Sequence, residues 1–162
     1  MMALTSVDPA SFRAALSRFA SGVTVLATRT ADGRDAGMTA TAFSSLSLDP
    51  PLVLACVDRT ASMLSPLEQA SHLAVHLLSE DQEALSRRFA ADEADRFRGL
   101  EVTRGLEGLP LLGGCLGRLQ CRITGRHPEG DHVIIIGEVL EAEAAEGSPL
   151  LYFRSRYGRL GR

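Results

Sequence analysis

The amino-acid sequence predicts a mainly β fold, an antiparallel barrel or sandwich with a few helices at its edges. About seven short runs of β-branched or alternating residues follow one another, and hairpin-type turn signals separate most of them. Helical periodicity is confined to short stretches, so strands and helices do not alternate as in parallel α/β folds. The 162 residues are predicted to form one domain, 1–162, with its core over about 12–160.

The chain opens with a predicted helix in SVDPASFRAALSRFASG. Asp8 can cap the amino end of this helix, and Gly22 can close its carboxyl end. Its apolar residues recur at spacings of four and three and therefore share one face: Phe12, Leu16 and Phe19. Because this face is apolar, we expect it to pack against another surface.

Strands dominate the next part of the chain. GVTVLATR is β-branched, TADGRD carries an Asp-Gly turn signal, and AGMTATAF alternates, so these segments predict a hairpin. The following SSLSLDPP is expected to bend away from the sheet, because consecutive prolines force an extended turn. LVLACV is predicted to be a short, fully apolar strand.

The second half of the chain continues this pattern. TASMLSPLEQAS predicts a short helix and HLAVHLL a strand, and Ser79 with Gln82 forms a capping box at the start of SEDQEALSRRFAA. The polar segment 92–110 is expected to be irregular and receives no role. CLGRLQCRITGRH and HVIIIGEVLEAEA predict two long strands joined by PEGD. SPLLYFRSRYGRL is predicted to be one strand with a polar tail.

Charge and composition limit the function classes. The net charge of −3 argues against nucleic acid as a partner, and the seventeen basic residues are all arginine. Without lysine, any bound anion must be held by arginine, hydroxyl or backbone N–H groups. No apolar run approaches the ~20 residues of a membrane span. Three cysteines without a CxxC pair, and no evident export signal, predict reduced thiols and a cytoplasmic protein.

Three short segments could carry chemistry, and each has a structural alternative. The hydroxyl-rich GMTATAFSSLSLDPPLVLACVD is either a solvated sheet edge or a cradle for a planar ring. VDRTAS could hold a phosphate through its polar side chains and helix amides, or could simply cap a helix. In GDH, His132 could bind a substrate group or tune a proton transfer, or could be a structural turn residue. No metal site is predicted, because histidine, thiol and carboxylate groups lack ligand spacing.

The ordered set of blocks resembles a known family. FRAALSRFASGVTVLATR, DGRDAGMTATAFSSLSLDPPLVLACVD, SRRFA, GDHVIIIGEV and SPLLYFRSRYGRL together look like the flavin reductase-like family of short-chain NAD(P)H:flavin oxidoreductases. These enzymes are the small components of two-component flavin monooxygenases. The resemblance implies a Greek-key split β-barrel that binds FMN or FAD between the subunits of a homodimer. It also implies hydride transfer from NADH or NADPH to flavin, which then leaves for an oxygenase or for iron reduction.

The resemblance also implies a set of site residues. The segment along the isoalloxazine ring corresponds to Thr39, Ala40, Thr41, Ser44 and Ser45. The segment around the ribityl chain and phosphate corresponds to Cys56, Val57, Asp58, Arg59, Thr60 and Ser62. Flanking elements correspond to Arg88, Phe89, Ala90, the nicotinamide-side His132 as the catalytic candidate, and Tyr157 as an aromatic that closes the pocket. The alternatives are a flavoprotein that keeps FMN for a dedicated substrate, and a non-catalytic flavin- or haem-binding dimer.

Overall fold

The computed structural model describes residues 5–161, so the outermost ends of the predicted domain lie outside the described residues. Its helices are α1 Pro9–Leu16, α2 Leu64–Gln69 and α3 Glu83–Ala90, and short 3-10 turns occupy Glu80–Gln82 and Leu106–Gly108. Within the described part of the chain, no helix is long and apolar enough to cross a membrane.

Strands account for most of the regular structure. In chain order they are β1 Ser21–Gly22, β2 Thr24–Arg29, β3 Asp35–Ala40, β4 Phe43–Leu48, β5 Pro51–Asp58, β6 His72–Leu77, β7 Val102–Arg104, β8 Pro110–Leu112, β9 Gly117–Glu129, β10 His132–Ala144, β11 Leu151–Phe153 and β12 Arg156–Gly158. β1, β11 and β12 form a small sheet, and β7 pairs with β8.

The main sheet has seven strands in the order β3-β2-β6-β9-β10-β5-β4, and all neighbours are antiparallel. β3 and β4 are the two edges of this sheet, yet only Thr41 and Ala42 separate them in the chain. Three Cα–Cα steps reach at most about 11 Å, so the two edges must come together and the sheet must curl. The predicted antiparallel split barrel is therefore confirmed.

Two apolar cores flank strand β2. Leu26 points into the barrel, where it packs with Met63 and Leu67, which come from the start and middle of the α2 region. Val25 points to the other face, which α3 covers with Phe89. Because β2 is buried on both sides, its β-branched, apolar sequence needs no polar alternation.

Several local predictions are confirmed. The β2–β3 hairpin pairs Arg29 with Asp35 at its closed end. The Asp8 carboxylate accepts two backbone N–H groups of α1 at 3.0 Å. In the capping box, the Ser79 N–H donates to the side-chain oxygen of Gln82 at 3.0 Å.

The prediction that SSLSLDPP bends away from the sheet is wrong for its serine-rich part, whereas the turn predicted at the prolines is present at Asp49 and Pro50. Residues Phe43–Leu48 form β4, which pairs with β5 through a register shift between Ser45 and Ser47. Strand pairing overrides the low β-propensity of serine because β4 is an edge strand whose side chains are mostly solvated.

Two predictions at the chain ends also need correction. α1 ends at Leu16 rather than near Gly22, and the predicted apolar face is not buried among the described residues: Phe12 and Leu16 on α1 and Phe19 beyond its end are 55%, 52% and 78% exposed. The C-terminal segment is a hairpin, β11–β12, instead of one strand with a tail. Its turn residues, Arg154 and Ser155, both have positive φ, so no glycine or asparagine marks the turn.

Candidate active site

The corner between β3 and β4 forms the centre of the candidate site. The carbonyl of Ala42 accepts the Cys56 N–H at 2.9 Å, which fixes the corner against the end of β5. Thr41, Ser44 and Ser45 are exposed along this corner, whereas Ala40 is buried. The corner therefore presents small hydroxyl side chains above a floor that belongs to the barrel core.

The end of β5 adds polar groups to this surface. The Asp58 carboxylate accepts both the backbone N–H and the hydroxyl of Thr60 at 2.7 Å. These bonds, the backbone one first, lower the pKa of Asp58 below its usual value because they stabilise the carboxylate. Arg59 and Ser62 are exposed beside them, and the Val57 side chain is fully buried in the barrel.

The GDH turn lies against this end of β5. His132 pairs in register with Asp58, and the Arg59 N–H donates to the Asp131 carbonyl at 2.9 Å. The two segments, which are more than seventy residues apart in sequence, thus form one polar corner.

The imidazole of His132 is oriented by its neighbour. Its Nδ1 lies 2.6 Å from the Asp131 carboxylate, and 41% of its side chain is exposed. Because an ionised carboxylate only accepts, Nδ1 carries the proton. Nε2 is then the ring atom available to a bound molecule.

A hydrogen-bonded row links β3 to the C-terminal hairpin through α3. The Thr39 hydroxyl donates to the Ser86 carbonyl at 2.6 Å, and the Ser86 hydroxyl lies 2.8 Å from the Tyr157 hydroxyl. The Arg87 guanidinium stands 4.7 Å above the Tyr157 ring. Tyr157 and Ala90 line a small cavity of about 520 Å³ at this end of α3.

The predicted RFA element has a largely structural environment. Arg88 donates through Nε to the Arg96 carbonyl at 2.6 Å and through a terminal nitrogen to the Arg98 carbonyl. Phe89 is fully buried, edge-on to Phe97 with 4.9 Å between ring centroids. A contact of Phe89 or Val57 with a ligand is thus limited to backbone atoms.

Hydrogen bonds and strand pairing bring the predicted residues together in two groups. Tyr157 and Thr39 are joined through the buried Ser86, and the β3–β4 corner is joined to the end of β5 and to His132. Sequence reasoning missed Ser86, which links Thr39 to Tyr157. The available signal was a serine three positions before Phe89, on the apolar face of α3.

Comparison with known proteins identifies the family. The family model described as flavin reductase-like domain matches residues 16–161. The chain belongs to the flavin reductase-like family. As a member it is an NAD(P)H-dependent flavin reductase, and the activity implied by the sequence resemblance is confirmed.

Individual relatives of this flavin reductase support the assignment. An NADH-dependent FMN reductase of Agrobacterium fabrum, SmoA, is 43% identical over 152 residues, which cover 94% of this chain and 86% of that protein. The reductase component of 4-hydroxyphenylacetate 3-monooxygenase from Thermus thermophilus is 46% identical over 151 residues, with 93% and 95% covered.

A solved structure agrees with the fold. An NADH:FAD oxidoreductase of Streptomyces globisporus, in complex with NAD and FAD fragments, superposes with a TM-score of 0.89 at 35% identity. The match covers 98% of each chain. The roles of the individual site residues of this flavin reductase stay predictions.

Proposed function

We propose that this flavin reductase oxidises NADH, reduces FAD or FMN at the β3–β4 corner, and releases the reduced flavin to a monooxygenase partner. The observation that carries the proposal is the set of small exposed hydroxyl groups at the β3–β4 corner, which the Ala42–Cys56 bond and the β5–β10 pairing connect to the GDH turn. NADH rather than NADPH is supported by the similar NADH-dependent enzymes of Agrobacterium fabrum and Streptomyces globisporus.

The residues at the corner fit a flavin. β4 is an edge strand of the described sheet, so alternate backbone N–H and C=O groups face away from its partner, β5. Small side chains at Thr41, Ser44 and Ser45 allow a planar ring to approach these backbone groups. Backbone N–H donors stabilise negative charge on the ring without a titratable side chain. Bound flavin supplies the hydride acceptor, so the chain needs no nucleophile or metal of its own.

The phosphate end of the flavin is assigned to the turn after β5. The Asp58 carboxylate accepts hydrogen bonds from the backbone N–H and the hydroxyl of Thr60. These bonds hold the conformation of the turn beside Arg59 and Ser62. With no lysine in the chain, Arg59 supplies the positive charge at this position. Arg88 uses its N–H groups on loop carbonyls, and therefore contributes to the phosphate mainly through its net charge.

His132 is assigned to the nicotinamide. Its Nδ1 is held by Asp131, so Nε2 can accept a hydrogen bond from the carboxamide of NADH. His132→Gln is expected to raise the KM for NADH several-fold, since only one hydrogen bond to the co-substrate is altered. An unchanged KM in steady-state assays would contradict this role.

The site is proposed to be completed in a homodimer. The apolar side chains of Phe12 and Leu16 on α1, and of Phe19 after it, are more than half exposed among the described residues of one chain. A second copy of the chain would cover them and would enclose the open β3–β4 corner. The resemblance to the family implies that the flavin then binds between the two subunits.

One assay tests the proposed function directly. NADH and NADPH are each combined with riboflavin, FMN and FAD, and the loss of nicotinamide absorbance is followed. We expect NADH oxidation that depends on added flavin, and we expect gel filtration to strip flavin from the protein. Flavin that stays bound would support the dedicated flavoprotein instead, and binding without NADH oxidation would support a carrier.

A further inference from the structure

Ser86 on α3 is a buried polar residue to which the proposed reaction gives no role. It is fully buried on the same helix face as Phe89. Serine inside a helix usually points to solvent or bonds back to a carbonyl of the preceding turn. The Ser86 hydroxyl instead lies 2.8 Å from the hydroxyl of Tyr157 on the hairpin β11–β12. It therefore joins α3 to the hairpin, which helix formation alone does not require.

The burial of Ser86 decides which of the two hydroxyl groups donates. Among the described residues, Tyr157 is the only hydrogen-bond partner of the Ser86 hydroxyl. Because a buried hydroxyl proton without an acceptor is costly, this proton points to the Tyr157 oxygen. The proton of Tyr157 is then available to another acceptor. Tyr157 is half-buried and lines the cavity of about 520 Å³ at the end of α3, so a molecule in this cavity can supply that acceptor.

The Tyr157 ring is held in place on two further sides. The Arg87 guanidinium stands 4.7 Å from the ring centroid, and Arg87 itself donates to the Glu83 carboxylate at 2.6 and 2.9 Å. The Tyr152 ring meets the Tyr157 ring edge-on, with 5.4 Å between centroids. The phenol is therefore fixed before a ligand binds. Such a preorganised donor needs no reorganisation when the reaction takes place.

Ser86 also fixes Thr39 on β3, through its backbone. The Thr39 hydroxyl donates to the Ser86 carbonyl at 2.6 Å, so its proton is used and its oxygen can only accept. Thr39 lies two residues before Thr41 at the β3–β4 corner. Ser86 thus holds two groups of opposite character, a donor at Tyr157 and an acceptor at Thr39. An amide group, which carries a carbonyl oxygen beside an N–H, matches this pair in kind.

We propose that Ser86 is a positioning residue for the flavin reductase reaction. Its buried hydroxyl directs the Tyr157 O–H toward the carbonyl oxygen of an amide group on a bound substrate, and its carbonyl holds Thr39 as an acceptor for an N–H. The flavin ring and the carboxamide of NADH both carry such a group. The inference rests on the proposed function, because both molecules are substrates of that reaction.

A double-mutant cycle tests whether Ser86 acts through Tyr157. Tyr157→Phe removes the donor and should lower kcat/KM for flavin or for NADH about tenfold, the effect of one hydrogen bond. Ser86→Ala should lower it about fivefold, because the phenol loses its orientation. The double variant should lose no more than Tyr157→Phe alone, since the serine then has no hydroxyl to orient. Ser86→Cys fills the space with a weak donor and should behave like Ser86→Ala, which keeps the test open if the alanine variant does not fold.

Thr28→Val is the matched control for the loss of a buried hydroxyl. Thr28 is buried, and its hydroxyl donates to the His72 carbonyl at 2.8 Å, away from Ser86 and Tyr157. Urea unfolding should show a loss of stability similar to that of Ser86→Ala, whereas kcat/KM should stay at the wild-type value. An equal kinetic loss in Thr28→Val would mean that kcat/KM only follows stability, and would overturn the positioning role.

Binding measurements identify the substrate that carries the amide group. If it is the flavin, Tyr157→Phe and Ser86→Ala raise the Kd for FMN without NADH, as fluorescence titration would show. If it is the carboxamide, flavin affinity is unchanged and the KM for NADH rises. Wild-type kinetics in Tyr157→Phe, or additive losses in the double variant, would overturn the proposal. The proposed function would still stand in both cases, because it depends on flavin-dependent NADH oxidation by the wild-type protein.

Discussion

Three exposed hydroxyl side chains, those of Thr41, Ser44 and Ser45, make up the surface assigned to the flavin ring. The small size of these side chains allows the flat flavin ring to come close to the β4 backbone. The family motif identified these positions, but it also included Val57 and Phe89, whose side chains are fully buried. A linear motif cannot separate a residue that faces the ligand from a neighbour that anchors the strand or helix beneath it.

Bulky replacements at the corner test this assignment. Thr41→Leu or Ser45→Leu should raise the Kd for flavin about tenfold, since each side chain would occupy the space of the ring. Both positions are exposed, so the free energy of unfolding should change by less than about 0.5 kcal/mol. Fluorescence titration with FMN and FAD measures the affinity. Thr124→Leu, at an exposed position on β9, is the control. Unchanged flavin affinity in both corner variants would show that the flavin binds elsewhere.

His76 makes stability depend on pH. It is fully buried, its Nδ1 lies 3.1 Å from the Val25 carbonyl, and its Nε2 accepts the Leu112 N–H at 3.1 Å. Burial lowers the pKa of His76 to about 4 from its usual 6.5, with a smaller effect from Arg118. As the pH falls, His76 therefore takes up a proton in the unfolded chain at a higher pH than in the folded chain. The contribution of neutral His76 to stability is complete above pH 6.5 and is lost between pH 6.5 and 4.

The expected loss at His76 is about 3 kcal/mol over that interval. Urea unfolding at a series of pH values measures it. His76→Gln removes the titrating group and should flatten the pH dependence, whatever its own effect on stability. His127→Gln, at an exposed histidine, should retain the wild-type slope. Equal slopes in all three proteins would show that His76 is not the responsible group.

At the scale of elements, sequence patterns predicted the strands that are apolar or β-branched. They did not predict the strands whose formation depends on pairing with a neighbouring strand. β4 is serine-rich, and only its bonds to β5 make it a strand. The β11–β12 turn lacks glycine and asparagine, so its signal is absent from the sequence. The segment 92–104 has no apolar period. Arginine-to-carbonyl bonds hold it in place together with the Phe97–Phe89 contact and the β7–β8 pairing. Such bonds cannot be read from spacing.

The arginine-to-carbonyl hydrogen bonds of the segment 92–104 can be tested by mutation. Arg96 donates to the Ala91 carbonyl at 2.9 Å and to the Gly37 carbonyl at 2.7 Å, which ties the segment to α3 and β3. Arg96→Ala should lower the free energy of unfolding by about 1–3 kcal/mol. It should also speed amide hydrogen exchange in the segment 92–104, because the segment loses its attachment to α3 and β3. Arg98→Ala, whose side chain has no partner among the described residues, should leave both measurements at the wild-type values.

At the scale of the whole molecule, the described residues form a barrel whose β3–β4 corner is open. Apolar side chains on α1 and directly after it are exposed. Phe19 is 78% exposed, and Phe153 is 43% exposed on the hairpin whose Arg154 N–H bonds to the Ser17 carbonyl at 3.1 Å. Exposed aromatic side chains on neighbouring elements are typical of a surface that is covered by another chain. The sequence predicted that this apolar face packs against another surface, and the family resemblance implied a homodimer. We propose that the second copy covers the face.

Disruption of this face should therefore affect both assembly and activity. Phe19→Asp places a charge in the proposed interface, and we expect sedimentation to shift from dimer to monomer at micromolar concentration. Flavin affinity should fall with it by tenfold or more, since each site loses the surface that encloses it. Leu160→Asp changes a comparably exposed side chain, 60% against 78%, and serves as the control. A Phe19→Asp variant that stays dimeric would show that Phe19 is not part of the interface. A monomer with wild-type flavin affinity would instead show that one chain suffices for the site.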